Sequence, residues 1–200
     1  MSISNMSCAI LAGGKATRLD GENKAFLKVG GKTNMEKFLA VTEGIFSETI
    51  VVAREPEHYC NFENVKVVTD IFKNIGPLGG IHTALKNASY DAVFCFSCDM
   101  PFLDREIIID EIAEFQRSEC GILVPKIGDF IEPLHAVYSV TLSDTIEQHI
   151  LDGKDYSIRS VFPATDLKYW CVADNARNRK AFTNINTRHD IFHAEEVMKG

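Results

Sequence analysis

Apolar residues in this chain come in short unbroken runs, separated by longer stretches with helical spacing. Cys8 to Ala12 is one such run and it ends at Gly13 and Gly14, the pattern of a strand buried on both faces. Met35, Phe38, Leu39, Ile45 and Phe46 then recur at helical spacing, with Thr33 or Asn34 placed to cap the helix. Thr49 to Ala53 is β-branched and apolar, and Val65 to Val68 reads as a further strand ending near Asp70. Gly76 to Gly80 predicts a turn into a helix through Ala88. Ala92 to Ser97 predicts a strongly apolar strand, with Asp99-Met100-Pro101 at its exit. Asp104 is placed to cap a helix whose apolar side carries Ile108, Ile109, Ile112 and Phe115. Gly121 to Val124 is another strand.

Alternation of this kind predicts a parallel sheet covered by helices on both faces. The pattern then changes. Lys126 to Phe130 resembles a turn and His135 to Val140 a strand returning from it, so an antiparallel element should join the sheet. A helix over Ser143 to Leu151, a strand over Lys168 to Val172 and a last helix from about Arg188 to Met198 complete the chain. No repeat, low-complexity segment or linker-like run interrupts it, which predicts one α/β domain over residues 1–200.

Composition narrows the partners. Of 200 residues, 46% are hydrophobic and 24% charged, the range of a globular protein with a sizeable core. Net charge is −7 with no basic tract, which argues against a polymeric nucleic acid, whose binding rests on clustered Lys and Arg. No run approaches the roughly 20 apolar residues of a membrane span, and Met1 to Ser7 lacks the pattern of a signal peptide. The expected compartment is the cytoplasm. Cys95 and Cys98 form a C-x-x-C pair inside an apolar run. Their odd spacing would send them to opposite faces of a strand and no second pair stands at ligand spacing, so they read as structural thiols.

The chemistry concentrates just after the strands. Gly13 and Gly14 let the backbone turn and bring its N–H groups toward phosphate oxygens, and Lys15, Arg18 and Lys24 follow with charge to neutralise them. A P-loop is excluded because its spacing needs a glycine at Ala9 and a hydroxyl at Ala16. No G-x-G-x-x-G opens the loop either. Asp99 could cap the next turn, or hold Mg²⁺, which takes one or two carboxylates and its remaining ligands from phosphates and water. Asp70 is open between loop capping and contact with the nucleotide or metal. Asn184 and Asn186 share a side if their segment is extended. One of them, or Thr187, could cap the last helix, or the two amides could grip a polar ligand. His135 reads as a strand residue with a satisfied hydrogen bond. In open α/β sheets ligands bind beyond the carboxyl ends of the strands, so the glycine loop, Asp70, the Gly76–Gly80 turn and Asp99 should meet on one rim.

Taken together, Leu11-Ala12-Gly13-Gly14-x-x-x-Arg18, Lys24, Gly76-Pro77-Leu78-x-Gly80, Cys98-Asp99-Met100-Pro101 and Asn184-x-Asn186-Thr187 resemble the molybdenum cofactor guanylyltransferases, in that family's order and over nearly the whole chain. The Gly-Gly form of the first loop is closer to guanylyltransferases than to their cytidylyl relatives, which usually carry Ala-Gly. The resemblance implies a Rossmann-like, glycosyltransferase-A type three-layer α/β/α sandwich. It implies a Mg²⁺-dependent transfer of GMP from GTP to molybdenum-bearing molybdopterin with release of pyrophosphate, and it leaves room for transient contact with other cofactor-biosynthesis proteins or recipient enzymes. By resemblance, Leu11, Ala12, Gly13, Lys24, Asp70 and Asp99 would contact the nucleotide, with Asp99 also holding the metal. Gly14, Arg18, Gly21, Gly80, Asn184 and Asn186 would lie toward the pterin, and Asp99, Lys24 and Arg18 would carry catalysis. The pattern departs at Asp20 in place of glycine, Asn23 in place of aspartate and Arg54 in place of asparagine. Another nucleotidyltransferase, making a cytidylyl-pterin or a nucleotide sugar, and a non-catalytic nucleotide-binding module stay open as alternatives.

Overall fold

The computed structural model describes residues 5–13, 18–19, 22–153 and 155–199. The strands and helices, in order, are β1 (Ser7–Ala12), β2 (Arg18–Leu19), β3 (Glu22–Asn23), β4 (Lys28–Val29), β5 (Lys32–Thr33), α1 (Asn34–Thr42), β6 (Glu48–Ala53), β7 (Lys66–Val68), α2 (Pro77–Asn87), β8 (Ala92–Ser97), α3 (Arg105–Arg117), β9 (Ile122–Ile127), β10 (Phe130–Ile131), β11 (His135–Ser139), α4 (Ser143–Asp152), β12 (Leu167–Cys171), α5 (Ala176–Ala181) and α6 (Arg188–Lys199). The main sheet runs β10-β9-β11-β8-β1-β6-β7, with β12 also paired to β9. β1, β6, β7 and β8 are mutually parallel, and β11 is antiparallel to both β8 and β9. The expected mostly parallel sheet with one antiparallel insertion is what forms.

β1 is buried along its whole length because both of its faces are covered. Cys8, Ile10 and Ala12 join Phe94, Phe96, Val51 and Val137 in a layer closed by Met35 and Phe38 of α1 and Ile108 and Ile112 of α3. Ala9 and Leu11 face the other way, into a layer with Leu78, Ile81 and Leu85 of α2 and Ile146 and Ile150 of α4. Cys95 lies in the second layer and Cys98 in the first, so the odd spacing does send the two thiols to opposite faces. Burial pushes the thiols of Cys8, Cys95 and Cys98 up, Cys8 to about 12; they stay protonated and act as small apolar side chains.

Several local expectations change. The helix behind Thr33 stops at Thr42, since Gly44 takes a left-handed backbone (φ +69°) and the Ile45 N–H turns back to the Thr42 carbonyl. Ile45 and Phe46 still pack in the core, but from a loop. Gly79 and Gly80 lie inside α2, which begins at Pro77, rather than in a turn before it. A Cβ on Gly80 would sit 3.3 Å from Leu11 Cδ2 and its N–H is spent on Gly76, so this glycine lets α2 pack closely on β1. Glu111 falls on the buried side of α3, where its Oε2 meets His135 Nδ1 at 3.0 Å. Burial pushes that carboxyl up and holds the imidazole down at about 3, leaving His135 a neutral, enclosed strand residue. The β4–β5 hairpin turns on Gly30 and Gly31, both left-handed (φ +61° and +84°), the demand of a two-residue hairpin turn.

Asp104 caps α3 as expected, accepting from the Glu106 and Ile107 N–H groups, and also pairs with the Arg177 guanidinium of α5. That guanidinium, with the two N–H donors, holds the Asp104 carboxyl below its usual value. A depressed carboxyl stabilises the fold above its unfolded pKa, near 4, and loses the effect as pH falls through the folded value. Asp104→Ala should cost about 1 kcal/mol in urea unfolding at pH 7 through the lost cap. The gap to wild type should shrink on lowering the pH below about 4.

Candidate active site

The chain leaves β1, runs outward through β6 to β7, and then crosses back to place β8 on the opposite side of β1. The crevice where the strand order reverses therefore lies between the carboxyl ends of β1 and β8. The Cys98 N–H donates to the Leu11 carbonyl across it, so the two loops depart side by side. This is the topological switch point at which open α/β sheets take their ligands.

Lys24 stands at its centre. It sits in a short 3-10 turn (Lys24–Phe26) whose cap is Asn23: Asn23 Oδ1 accepts from the Ala25 N–H and Nδ2 donates to the Tyr59 hydroxyl at 3.0 Å. The β2–β3 hairpin pairs Arg18 with Asn23, bringing the Arg18 backbone beside that turn. Asn34, at the start of α1, donates Nδ2 both to the Lys24 carbonyl and to the Cys98 carbonyl, tying the turn to the end of β8. With its backbone held this way, Lys24 is only 3% exposed. Its ammonium reaches Asp99 Oδ2 at 3.1 Å and Asn186 Oδ1 at 2.8 Å.

Asp99 is held from three sides. Ser97 Oγ donates to its Oδ1, Lys24 to its Oδ2, and its carbonyl accepts from the Ile185 N–H at 2.8 Å. Ile185 is fully buried, against Val29 and Ala194. It plugs the segment into the core and leaves Asn184 and Asn186 on the site. Thr187 takes the capping role at α6, accepting from the Asp190 N–H, while Asp190 accepts from the Asn186 and Thr187 N–H groups. The cap is supplied without either asparagine side chain.

At the other wall of the crevice, Asp70 lies against Gly13. A Cβ added there would stand 2.9 Å from Asp70 Oδ2, so no larger residue fits between them without displacing the carboxylate. Burial pushes the Asp70 carboxyl up. Leu11 and Ala12 are buried at the end of β1, Leu11 offering its carbonyl to Cys98. Of the remaining expected residues, Gly14 and Gly21 lie outside the described residues, and Arg18 is described through its backbone.

Two site residues have no counterpart in the sequence-based expectations. Asn34, by sequence one of two candidates for the helix cap, leaves the cap to Thr33 and braces the Lys24 turn instead. Glu132, just before β11, is buried at the same edge and accepts from Asn184 Nδ2 at 3.0 Å and from the Leu134 N–H. A polar residue at a helix's first position and a lone acid ahead of a strand carry no distinguishing spacing. Only their neighbours in space reveal them.

No group of three or more His, Cys, Asp or Glu that could hold a metal exists among the described residues. The Asp99 carboxylate accepts one hydrogen bond at each oxygen and keeps further lone pairs. That donor chemistry suits Mg²⁺, a hard cation bound through one or two carboxylates with water and phosphate oxygens completing its shell. No helix of the described residues is long and apolar enough to cross a membrane.

Fold and crevice define an open, mostly parallel α/β protein whose switch point holds, among the described residues, the Lys24 ammonium against the Asp99 carboxylate. The comparisons sharpen that class. The sequence matches the family model of the MobA-like NTP transferase domain over residues 8–167. It is 33% identical over 200 residues to a protein of Clostridium perfringens named probable molybdenum cofactor guanylyltransferase, covering 96% of this chain and 98% of that one. It is 31% identical over 195 residues to the molybdenum cofactor guanylyltransferase of Desulfosudis oleivorans, covering 95% and 94%. The crystal structure of molybdopterin-guanine dinucleotide biosynthesis protein A from Archaeoglobus fulgidus superposes with a TM-score of 0.81 at 28% identity, over 96% of this chain and 98% of that one. The chain belongs to the MobA-like NTP transferase family.

Asn23, where the resemblance leads one to expect aspartate, makes both side-chain contacts of the turn. An aspartate could make them as well, since the buried Tyr59 phenol, its pKa pushed up, could then donate. Asn23→Asp should leave stability within about 0.5 kcal/mol, whereas Asn23→Ala should cost about 1 kcal/mol, as expected for a lost cap; urea unfolding distinguishes the two.

Proposed function

We propose that this protein transfers GMP from GTP to molybdopterin carrying molybdenum, releasing pyrophosphate and forming the guanine dinucleotide cofactor. The observation that carries the reading is the meeting of Lys24, Asp99 and Asn186 at the switch point, in a chain of the guanylyltransferase family.

The pterin's terminal phosphate oxygen attacks the α-phosphorus of GTP. A P–O bond forms there as the bond to the leaving pyrophosphate breaks, and the electron pair departs with the pyrophosphate. The nucleophile is already ionised at neutral pH, so no general base is needed, and the enclosed His135 supplies none. What the protein must do is align two anions and meet the charge that develops between them. Lys24 has three N–H donors and spends two on Asp99 and Asn186, which leaves one for a phosphate oxygen from a side chain that cannot swing away. Gly13 gives the triphosphate close approach to the backbone, Asp70 accepts from the nucleoside, and Arg18 adds charge from the hairpin beside Lys24. Asp99 would hold Mg²⁺, which would screen the phosphate oxygens when bound.

Asp99→Asn is isosteric and should leave the domain folded while lowering GMP transfer by about a thousandfold or more, the scale for loss of a preorganised electrostatic group. Near-wild-type pyrophosphate release would refute the assignment of Asp99. Lys24→Ala should lose about 2–4 kcal/mol of transition-state stabilisation, read as kcat/KM for GTP. A nucleotide panel with pyrophosphate detection tests the base: preference for CTP or UTP over GTP would overturn the guanylyl reading.

A further inference from the structure

Ser97 is the last residue of β8 and is half-buried. The sheet holds its backbone from both sides: it stands in register with Leu11 of β1, and its N–H donates to the Leu134 carbonyl at 2.9 Å, just ahead of β11. From that fixed point its hydroxyl donates to Asp99 Oδ1, two residues further on. Lys24 takes the other oxygen at 3.1 Å. The Asp99 side chain is 14% exposed, so the carboxylate stays within reach of solvent with both contacts made.

A carboxylate turns easily about its Cβ–Cγ bond, whose torsion has broad, two-fold preferences. One ammonium contact does not fix that turn, because a compact charge with three rotatable donors is met as well by two oxygens as by one. Lys24 spends one donor on Asn186 Oδ1 and one on Asp99 Oδ2, which leaves a third. Asp99 Oδ1 would take that third donor if the carboxylate swung round. The Ser97 hydroxyl holds Oδ1 instead. A carboxylate has about four lone-pair sites, so one contact at each oxygen leaves lone pairs on both.

We infer that Ser97 is a positioning residue for the Asp99 carboxylate. It pins Oδ1 so that the group cannot close both oxygens onto Lys24. Two things are thereby kept free at once: the third N–H of Lys24 for a phosphate oxygen, and lone pairs on Asp99 for a divalent cation. This rests on the function proposed above, in which both groups serve nucleotidyl transfer. Ser97 touches neither substrate nor metal; it acts through Asp99. The motif that carries the resemblance starts one residue later, at Cys98.

Ser97→Ala removes the hydroxyl with little change of volume, and Ser97→Thr keeps it. In the free protein, Ser97→Ala should move the NMR resonances of the Lys24 ammonium and the Asp99 carboxylate as the two groups close on each other. Ser97→Thr should leave both near their wild-type positions. In turnover, Ser97→Ala should lower kcat and raise the Mg²⁺ concentration for half-maximal rate by about tenfold, the scale for losing a hydrogen bond that orients a metal ligand. KM for molybdopterin should stay within about twofold, and Ser97→Thr should restore both affected quantities. A serine that only stabilised the end of β8 would lower Tm in Ser97→Ala and leave the Mg²⁺ requirement where it was, which would overturn the inference. An unmoved Lys24 resonance, or a folded Ser97→Thr protein that behaves like Ser97→Ala, would overturn it too. The guanylyl reading fails separately: a wild type that prefers CTP would sink it, and the Ser97 comparison is then read with CTP.

Discussion

An ammonium enclosed with a carboxylate at the mouth of a sheet is the constraint on which the rest of this structure turns. Lys24 and Asp99 are 75 positions apart in the chain, and Lys24 and Asn186 are 162 apart. Two enclosed charges are costly to desolvate unless nearly every donor and acceptor is met. Here Ser97 meets the second oxygen of Asp99, and Asn186 meets the ammonium. Asn23 and Asn34 hold the turn that carries Lys24, and Ile185 anchors the segment that carries Asn186. The result is a cation whose direction is set by the fold before any phosphate arrives, which is the condition under which a fixed charge lowers a barrier without reorganisation.

The sheet order decides which residues share that mouth. Because β8 is added on the far side of β1 from β6 and β7, the carboxyl ends of β1 and β8 flank one crevice. Because β11 then runs antiparallel beside β8, its entry, rather than its exit, lies at the same rim. Glu132 reaches the site through that reversal. Had the strand been parallel, the residues preceding it would have stood at the opposite end of the sheet. The antiparallel insertion thus widens the rim beyond the end of β1.

Much of this was legible along the chain. Runs such as Cys8–Ala12 and Ala92–Ser97 read as strands because burial on both faces requires apolar side chains at every position. Asp104 read as a cap because a short carboxylate ahead of an apolar periodic stretch satisfies the free N–H groups of a helix start. Gly30-Gly31 carried a hairpin signal of the same strength but sits in a polar setting, between strands of two residues each, too short to show alternation. Gly80 read as a loop residue, yet its smallness serves the contact between α2 and Leu11. Glycine marks a close approach without saying whether the neighbour is a ligand or a side chain.

Local chemistry along the chain settled where the long strands of the sheet lie and which faces they bury. Those properties depend on backbone sterics, capping and side-chain period, which act over a few residues. Which polar groups become partners depended on the assembled sheet. Asn34 as a tie to the end of β8, Glu132 as the fixed neighbour of Asn184, and Glu111 as the buried companion of His135 all arise from contacts across 24 or more positions. A hydrogen bond is decided by ångströms of separation and by what else is excluded from the space, and neither quantity exists until the layers have packed.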